Sequence, residues 1–113
     1  MRSYNEPVIN AGDASGNLTS IIVKTENLHL GGLHVTSTGT AAGSVTVEIS
    51  NDEPTTGLNP SNWVAVSGLT VSVSGANNYI IPKFEICYNY LRVKYTASTG
   101  TGTLTAKLHL IGY

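Results

Sequence analysis

The sequence predicts an all-β fold, an antiparallel two-sheet sandwich of the jelly-roll type with about eight strands. Apolar residues recur at every second position in several short runs, which is the side-chain period of a half-buried strand. Clusters of Gly, Asn, Asp and Ser separate these runs at intervals of roughly ten residues, as in sandwiches. No segment has a convincing helical period. This spacing favours a sandwich over a closed barrel.

Four alternating runs define the clearest strands, at residues 44–50, 69–73, 91–95 and 104–110. Residues of one parity in each run are apolar and the others are mostly polar, so one face of each strand meets a core and the other meets water. The predicted inward residues are Val45, Val47, Ile49, Val71, Val73, Leu91, Val93, Leu104, Ala106, Leu108 and Leu110.

Weaker signals complete the strand set. Residues 18–24, 63–66 and 79–81 have strand composition, and Pro82 is expected to close the last of these. The apolar parity changes within residues 28–37 at Gly31 and Gly32, which indicates either one strand with a β-bulge there or two short strands. The small residues 98–102 favour a hairpin between the last two strands.

A length of 113 residues is enough for one domain, and we divide the chain into an N-terminal arm, residues 1–17, and a single sandwich domain, residues 18–113. In the arm, Tyr4, Pro7, Val8 and Ile9 form a short apolar island among polar residues that cannot fold alone. We therefore predict that these four residues bind a partner, as a strand added to a neighbouring subunit or as an apolar plug. The alternative is a frayed terminus without a role.

Composition argues against several partners. Six Lys and Arg against seven Asp and Glu give a net charge of −1, so we expect no nucleic acid and no membrane as partner. Only 12% of residues are charged, and 11 Ser, 14 Thr and 10 Asn supply the polar surface instead. We expect a chain that is made and kept in a cytoplasm until assembly, because no signal-peptide core or long apolar run is seen. The lone Cys87 is interpreted as a small buried hydrophobic residue.

Catalytic motifs are not found, so we expect no enzyme, no cofactor and no metal. The only candidate bases are His29, His34 and His109, and the sequence has no GxSxG, HExxH, P-loop or dinucleotide-binding pattern. A bulge at the glycine pair would place His29 and His34 on the same outward face as His109. The three imidazoles would then hold a metal on a symmetry axis or form a pH-responsive contact. We favour three unrelated surface residues, since their spacing matches no zinc signature. A small hydrolase is kept as a third class of function, behind the structural and carbohydrate-binding classes given below.

Aromatic residues raise the possibility of a sugar site, because flat rings stack on the apolar faces of sugars. Tyr95 has inward parity, and Trp63 opens a strand beside a long loop, where an aromatic usually covers the core. Both are therefore interpreted as structural, while Tyr88 and Tyr90 stay open. Arg92 and Lys94 share the outward parity of Tyr90, as on a solvated sheet face.

Two sequence signatures resemble small β-sandwich virion proteins of tailed bacteriophages and prophages. The first is Ser50-Asn51-Asp52, a loop and Asn62-Trp63-Val64, a strand-turn-strand pattern. The second is the run from Tyr90 to Thr96, followed by residues 100–104 and a final strand. Together the signatures cover residues 45–113, and this chain departs from the pattern by an extended insertion at residues 53–61.

The resemblance implies a non-enzymatic virion structural protein, either a head decoration or cement protein or a short fibre or adaptor. It implies a homo-oligomer, with a trimer favoured, whose partners are other virion proteins such as the capsid. The expected location is the virion, after assembly in the host cytoplasm. The alternative is a carbohydrate-binding β-sandwich module, which predicts a monomer with an aromatic-lined groove.

Overall fold

The computed structural model describes residues 3–52 and 60–112. In them the chain forms nine strands in two antiparallel sheets, and no helix long and apolar enough to cross a membrane occurs there. The predicted all-β two-sheet fold is confirmed. The strands are β1 (Ser3–Asp13), β2 (Leu18–Thr19), β3 (Val23–Lys24), β4 (Leu30–Ser37), β5 (Ala42–Ser50), β6 (Val64–Ser74), β7 (Asn78–Glu85), β8 (Tyr90–Thr99) and β9 (Thr103–Ile111).

The two sheets arise from one long folded ribbon. Strand β5 pairs with β6, β4 with β7, β2 and β3 with β8, and β1 with β9. Wrapping this ribbon gives the sheet orders β1-β9-β4-β7 and β2-β8-β5-β6, with β3 also on β8, which is the topology of a jelly roll. Strands β2 and β3 act as one interrupted strand, because Ser20 between them bonds to Val93. Counted in this way the sandwich has the eight strands of the prediction.

The core lies between the sheets and consists of the predicted inward residues. Nine of that set are buried, and Ile49 and Val71 pack against the core while partly buried. Tyr95 lies fully inside, and its hydroxyl reaches the carbonyl oxygens of Ala14 (3.3 Å) and Ala42 (3.2 Å). The period-two reading of the sequence therefore identified the inner face correctly.

The N-terminal segment is part of this sandwich, which corrects the predicted arm. Residues 3–13 form β1, which pairs with β9 along the edge of the first sheet. The register shifts between Pro7 and Ile9 by one extra residue in β1, and both Val8 and Ile9 are buried, each 6% exposed. Because Val8 and Ile9 of the apolar island lie in this chain's own core, these two residues need no partner in order to be buried.

The connection at residues 98–102 is not the predicted hairpin. Strand β8 belongs to the second sheet and β9 to the first, so the chain crosses between the sheets here. The crossing packs tightly against the β4–β5 connection: Thr40 donates its N–H to the carbonyl of Thr101 at 2.8 Å. Gly100 has φ +86°, and a Cβ at Gly100 would lie 1.9 Å from the carbonyl oxygen of Thr40. The glycines that suggested a tight turn instead permit close approach of two connections.

A bulge exists beside Gly31 and Gly32, but the extra residue lies in β7. Strand β4 pairs with β9 in unbroken register from Leu30 to Ser37. Against β7 the pairs are Gly31–Phe84 and Leu33–Ile81, so one residue of β4 faces two of β7. Pro82 is one of these two and does not end the strand, since β7 is an edge strand in which a bulge accommodates proline.

Two further strand predictions are adjusted. The runs predicted at residues 63–66 and 69–73 are one strand, β6, whose register against β5 shifts between Thr46 and Glu48. Gly68 lies in this irregular stretch with φ +87°. Most of the insertion noted at residues 53–61 lies outside the described residues.

Candidate functional site

The outer face of the first sheet carries a depression centred on Gly32. Odd-numbered residues of β4, such as Leu33, point into the core, so Gly32 and His34 point outward. The register places Gly32 beside His109 and His34 beside Lys107 on β9. Ile80 of β7 lies opposite His34 on the other side. Residues from distant parts of the sequence thus meet on one sheet face. Gly32 and His109 form one row across the strands, and Ile80, His34 and Lys107 form the next.

The depression exists because Gly32 has no side chain. Two adjoining hollows of about 340 and 250 Å³ share Gly32 and His109 in their lining. An added Cβ at Gly32 would meet nothing closer than the carbonyl oxygen of Ile81, 3.8 Å away. Ile80 on the rim is 66% exposed, and Leu30 and Ile111 line the smaller hollow. The floor is therefore apolar and open.

Cationic and titratable groups surround this apolar floor. Lys107 and His34 line the larger hollow, Lys83 lines the smaller one, and His109 lines both. Among the described residues that line either hollow, Lys83 and Lys107 are the only ones of the Lys, Arg, Asp and Glu types. His34 Nε2 lies 3.1 Å from Asn78 Oδ1, which also accepts a bond from the Thr36 hydroxyl at 2.9 Å. Since a carbonyl oxygen only accepts, Nε2 of His34 is the donor in this contact.

The three predicted histidines do not form one cluster. His34 and His109 share the lining of the larger hollow, whereas His29 is exposed and absent from the lining of both hollows. Backbone bonds from His29 to Ile111 and Ile86 place it before the start of β4. Among residues 3–52 and 60–112 no group of three or more His, Cys, Asp or Glu side chains is placed to hold a metal.

A second cavity, of about 450 Å³, lies at one end of the sandwich between residues 24–28 and 86–89. Thr25 ties the two segments together: its hydroxyl bonds to the carbonyl of Tyr88, and its N–H bonds to the carbonyl of Asn89. The Tyr88 hydroxyl is buried without a partner among the described residues, and burial raises its pKa to about 12. Cys87 on the rim is exposed, which corrects its interpretation as a buried residue.

The aromatic side chains of the described residues do not form an open stacking platform. Tyr90 and Tyr95 are buried. Trp63 is half-buried, its indole N–H donates to the carbonyl of Pro60 at 3.0 Å, and the Arg92 guanidinium lies 4.3 Å from the ring centre. Arg92 also pairs with Glu48 at 2.7 Å, so a cation occupies one ring face. The structural interpretation of Trp63 and Tyr95 agrees with these contacts.

The four predicted partner-binding residues separate into two kinds. Val8 and Ile9 are buried in the core. Pro7 is exposed and pairs in the register with Lys107, and Tyr4 is half-buried. Burial, together with the nearby charge of Glu6, raises the pKa of Tyr4. A role of Tyr4 and Pro7 in binding stays a prediction.

Sequence reasoning missed the depression. The alternation in β9 showed that Lys107 and His109 share an outward face, which was the available signal. The neighbours Gly32 and Ile80 could not be added, because nothing local in the sequence says that β4 lies between β9 and β7.

No family model matches the chain, and no curated protein matches it in sequence. The fold is similar to the solved structure of the PBSX exported protein XepA, with a TM-score of 0.73 and 11% identity. The match covers 97% of this chain and 37% of XepA, so this chain spans little more than a third of that protein's length. A mutant of chitosan-binding module 1, from the chitosanase/glucanase of Paenibacillus sp. IK-5, matches with a TM-score of 0.47 and 18% identity, over 96% of this chain and 92% of the module.

Proposed function

We propose that this protein is a non-enzymatic structural component of a phage particle, a capsid decoration or cement protein or a fibre or adaptor component. It acts as a homo-oligomer and binds other virion proteins through the outer face of the β1-β9-β4-β7 sheet. The observation that carries the proposal is the Gly32 depression, an open apolar floor ringed by Lys83, Lys107, His34 and His109.

The chemistry of this face suits a protein surface as ligand. Protein interfaces combine an apolar centre with a polar rim, and the exposed Ile80 beside the Gly32 floor provides such a centre. The surrounding cations select a partner with acidic side chains at its rim and steer its approach. A paired sheet holds these groups in fixed positions, so little conformational entropy is lost on binding.

The likeness to XepA supports the class of protein. XepA is an exported protein of the phage PBSX, and the similarity in fold extends over 97% of this chain. The sequence signatures at residues 50–64 and 90–104 point to the same class independently. On a particle, weak contacts repeated by symmetry add up through avidity, so each copy needs only a modest binding face.

The direct experiment is to purify particles of the phage or prophage that encodes this chain and to identify their proteins by mass spectrometry. We expect this chain as a stoichiometric component that stays with the particles through a density gradient. Its absence from gradient-purified particles, when it is abundant in the same lysate, would overturn the proposal.

The role of the depression is tested with particles that lack the protein. Purified chain is added back, and cosedimentation is measured for the wild type and for Lys107→Glu combined with His109→Glu. We expect binding to weaken by at least about tenfold, because the rim changes sign. The control is Lys94→Glu with Thr96→Glu on the outer face of the other sheet, which should bind like the wild type. Equal binding by all three proteins would contradict the assignment of this face.

The carbohydrate-binding alternative has a separate readout. Binding of the purified chain to a glycan array, without incorporation into particles, would replace the proposed function by that alternative.

A further inference from the structure

We propose that strand β6 is the contact between two copies of this chain. Residues 69–73 of one copy pair antiparallel with the same residues of the other, around a two-fold axis at Val71. This inference deepens the proposed function by naming the contact between copies, and it rests on that function only for the formation of homo-oligomers.

The outer side of the β6 backbone carries hydrogen-bonding groups that have no partner strand among residues 3–52 and 60–112. It is an edge strand whose neighbour in the sheet is β5. Ser74 donates its N–H to the Tyr79 hydroxyl at 2.8 Å, and that hydroxyl donates to the carbonyl of Ser74 at 3.0 Å, so these groups point away from β5. Because backbone direction alternates in an antiparallel strand, the N–H and C=O groups of Ser72 and Thr70 also point away from β5. Both residues are exposed.

The free stretch has defined ends. Tyr79 covers the backbone of Ser74 at one end. At the other end Gly68, with φ +87°, interrupts the regular pairing with β5. A Cβ built on Gly68 would meet no described atom within 4 Å, so this position is not packed against residues 3–52 or 60–112. The five residues between these ends form a short, regular edge.

The other sheet edges carry features that prevent strand addition. Strand β1 contains Glu6, Pro7 and Asp13 and has two register shifts. Strand β7 contains Pro82 and the bulge opposite Gly32. Strands β2 and β3 have two residues each. Charges, prolines, bulges and short length are the usual protections of edge strands. Strand β6 has neither a charged residue nor a proline in its eleven positions.

A second copy fits this edge because the free stretch is complementary to itself. A two-fold axis at Val71 places Thr70 of each copy opposite Ser72 of the other, and each such pair exchanges two backbone hydrogen bonds. Val71 faces Val71, and the half-buried Leu69 and Val71 gain apolar cover. With no charge in the segment, like copies do not repel each other.

Such a contact is weak for an isolated pair of molecules, because a stable interface normally buries more surface than five residues provide. On a symmetric particle, neighbouring copies are held at high effective concentration, and their β6 strands then pair even though the contact is weak. The experiments therefore use concentrated protein and covalent trapping.

The first experiment measures mass by sedimentation equilibrium over a range of high protein concentrations. Thr70→Lys with Ser72→Lys places like charges opposite each other across the axis, and Thr70→Glu with Ser72→Glu does the same with acids. We expect each variant to keep the monomer mass at concentrations at which the wild type approaches the dimer mass. An equimolar mixture of the two variants should again approach the dimer mass, because opposite charges then face each other. The control, Thr96→Lys with Ser98→Lys on β8, adds the same charge and should associate like the wild type. A wild-type chain that stays monomeric, or association unchanged in both variants, would overturn the proposal.

The second experiment traps the contact in a Cys87→Ser background. Val71→Cys places two thiols directly opposite each other, within reach of a disulfide. We expect it to form a covalent dimer on mild oxidation at least about tenfold faster than Thr96→Cys. Equal rates would contradict the two-fold pairing. Both readouts concern the chain in solution, so failure here is distinct from absence of the chain from phage particles.

Discussion

Leu108 is the residue at which the inner face is most directly tested. It is fully buried and lies beside Leu33 in the register of β9 with β4. We predict that Leu108→Asp lowers the free energy of unfolding by about 3 kcal/mol or more, since it buries a carboxyl group without a partner. Urea denaturation measures the change. His109→Asp is the matched control, and at that exposed position we expect a change within about 0.5 kcal/mol. A Leu108→Asp variant as stable as the wild type would mean that Leu108 faces solvent and that the inner face of β9 is wrongly assigned.

Tyr88 is expected to make stability depend on alkaline pH. Burial, and secondarily the charge of Cys87, raises its pKa from 10.0 to about 12. The folded state then holds the phenol proton more tightly than the unfolded chain does. Its contribution to stability is complete below pH 10 and is lost as pH rises toward 12.

The matched variants are Tyr88→Phe and Tyr79→Phe, compared by urea denaturation from neutral to alkaline pH. At neutral pH Tyr88→Phe should equal or exceed the wild type in stability, because the buried Tyr88 hydroxyl that it removes has no partner among the described residues. It should also lose stability less steeply above pH 10. Tyr79→Phe should cost about 1 kcal/mol, since its hydroxyl bonds to Ser74. If Tyr88→Phe lost stability above pH 10 as steeply as the wild type, the alkaline loss of stability could not be assigned to Tyr88.

At the scale of the element, β4 presents two adjacent glycines with opposite roles. A Cβ on Gly31 would lie 2.6 Å from Leu110 Cδ2 and 2.8 Å from the Phe84 ring, whereas one on Gly32 would be clear of all atoms by 3.8 Å. We predict that Gly31→Ala costs about 1–3 kcal/mol through overpacking. Gly32→Ala should leave stability within about 1 kcal/mol of the wild type. Thermal denaturation of the two variants provides the comparison. An equal effect of both would contradict the assignment of Gly31 to the inner face of β4 and of Gly32 to its outer face.

The elements also show where local patterns stop being informative. Alternation identified β5, β8 and β9 and their inward residues, because the side-chain period is a property of a single strand. The small residues 98–102 fit a tight hairpin and a crossing between sheets equally well, and the placement of β8 and β9 in different sheets distinguishes the two. The parity change at Gly31 and Gly32 predicted a bulge in β4, but β4 is regular against β9 and the extra residue lies in β7. Locating it there required the register between the two strands.

At the scale of the whole molecule, β1 completes the first sheet and part of the core. We predict that deleting residues 1–12 strongly destabilises the sandwich. The deletion removes the buried Val8 and Ile9, and it removes the strand that pairs with β9 at the edge of the first sheet. Each buried side chain of this size stabilises the fold by about 1.5–3 kcal/mol. Circular dichroism and the urea midpoint of the truncated chain measure the loss. The control is Pro7→Ala, an exposed change in the same strand. A truncated chain as stable as the wild type would show that β1 is dispensable and would restore the separate arm.

The amino-acid sequence alone was sufficient for the fold class, the approximate number of strands and the inner face. These depend on apolar periodicity and turn composition, which are local. Tertiary structure alone decided that residues 3–13 close the first sheet and that Gly32, His34, Lys107 and His109 share one depression. It also decided which strands lie at the edges of the two sheets. The reason is physical: strand order and register arise from pairings between segments far apart in the chain, and these are selected by the packing of the complete core.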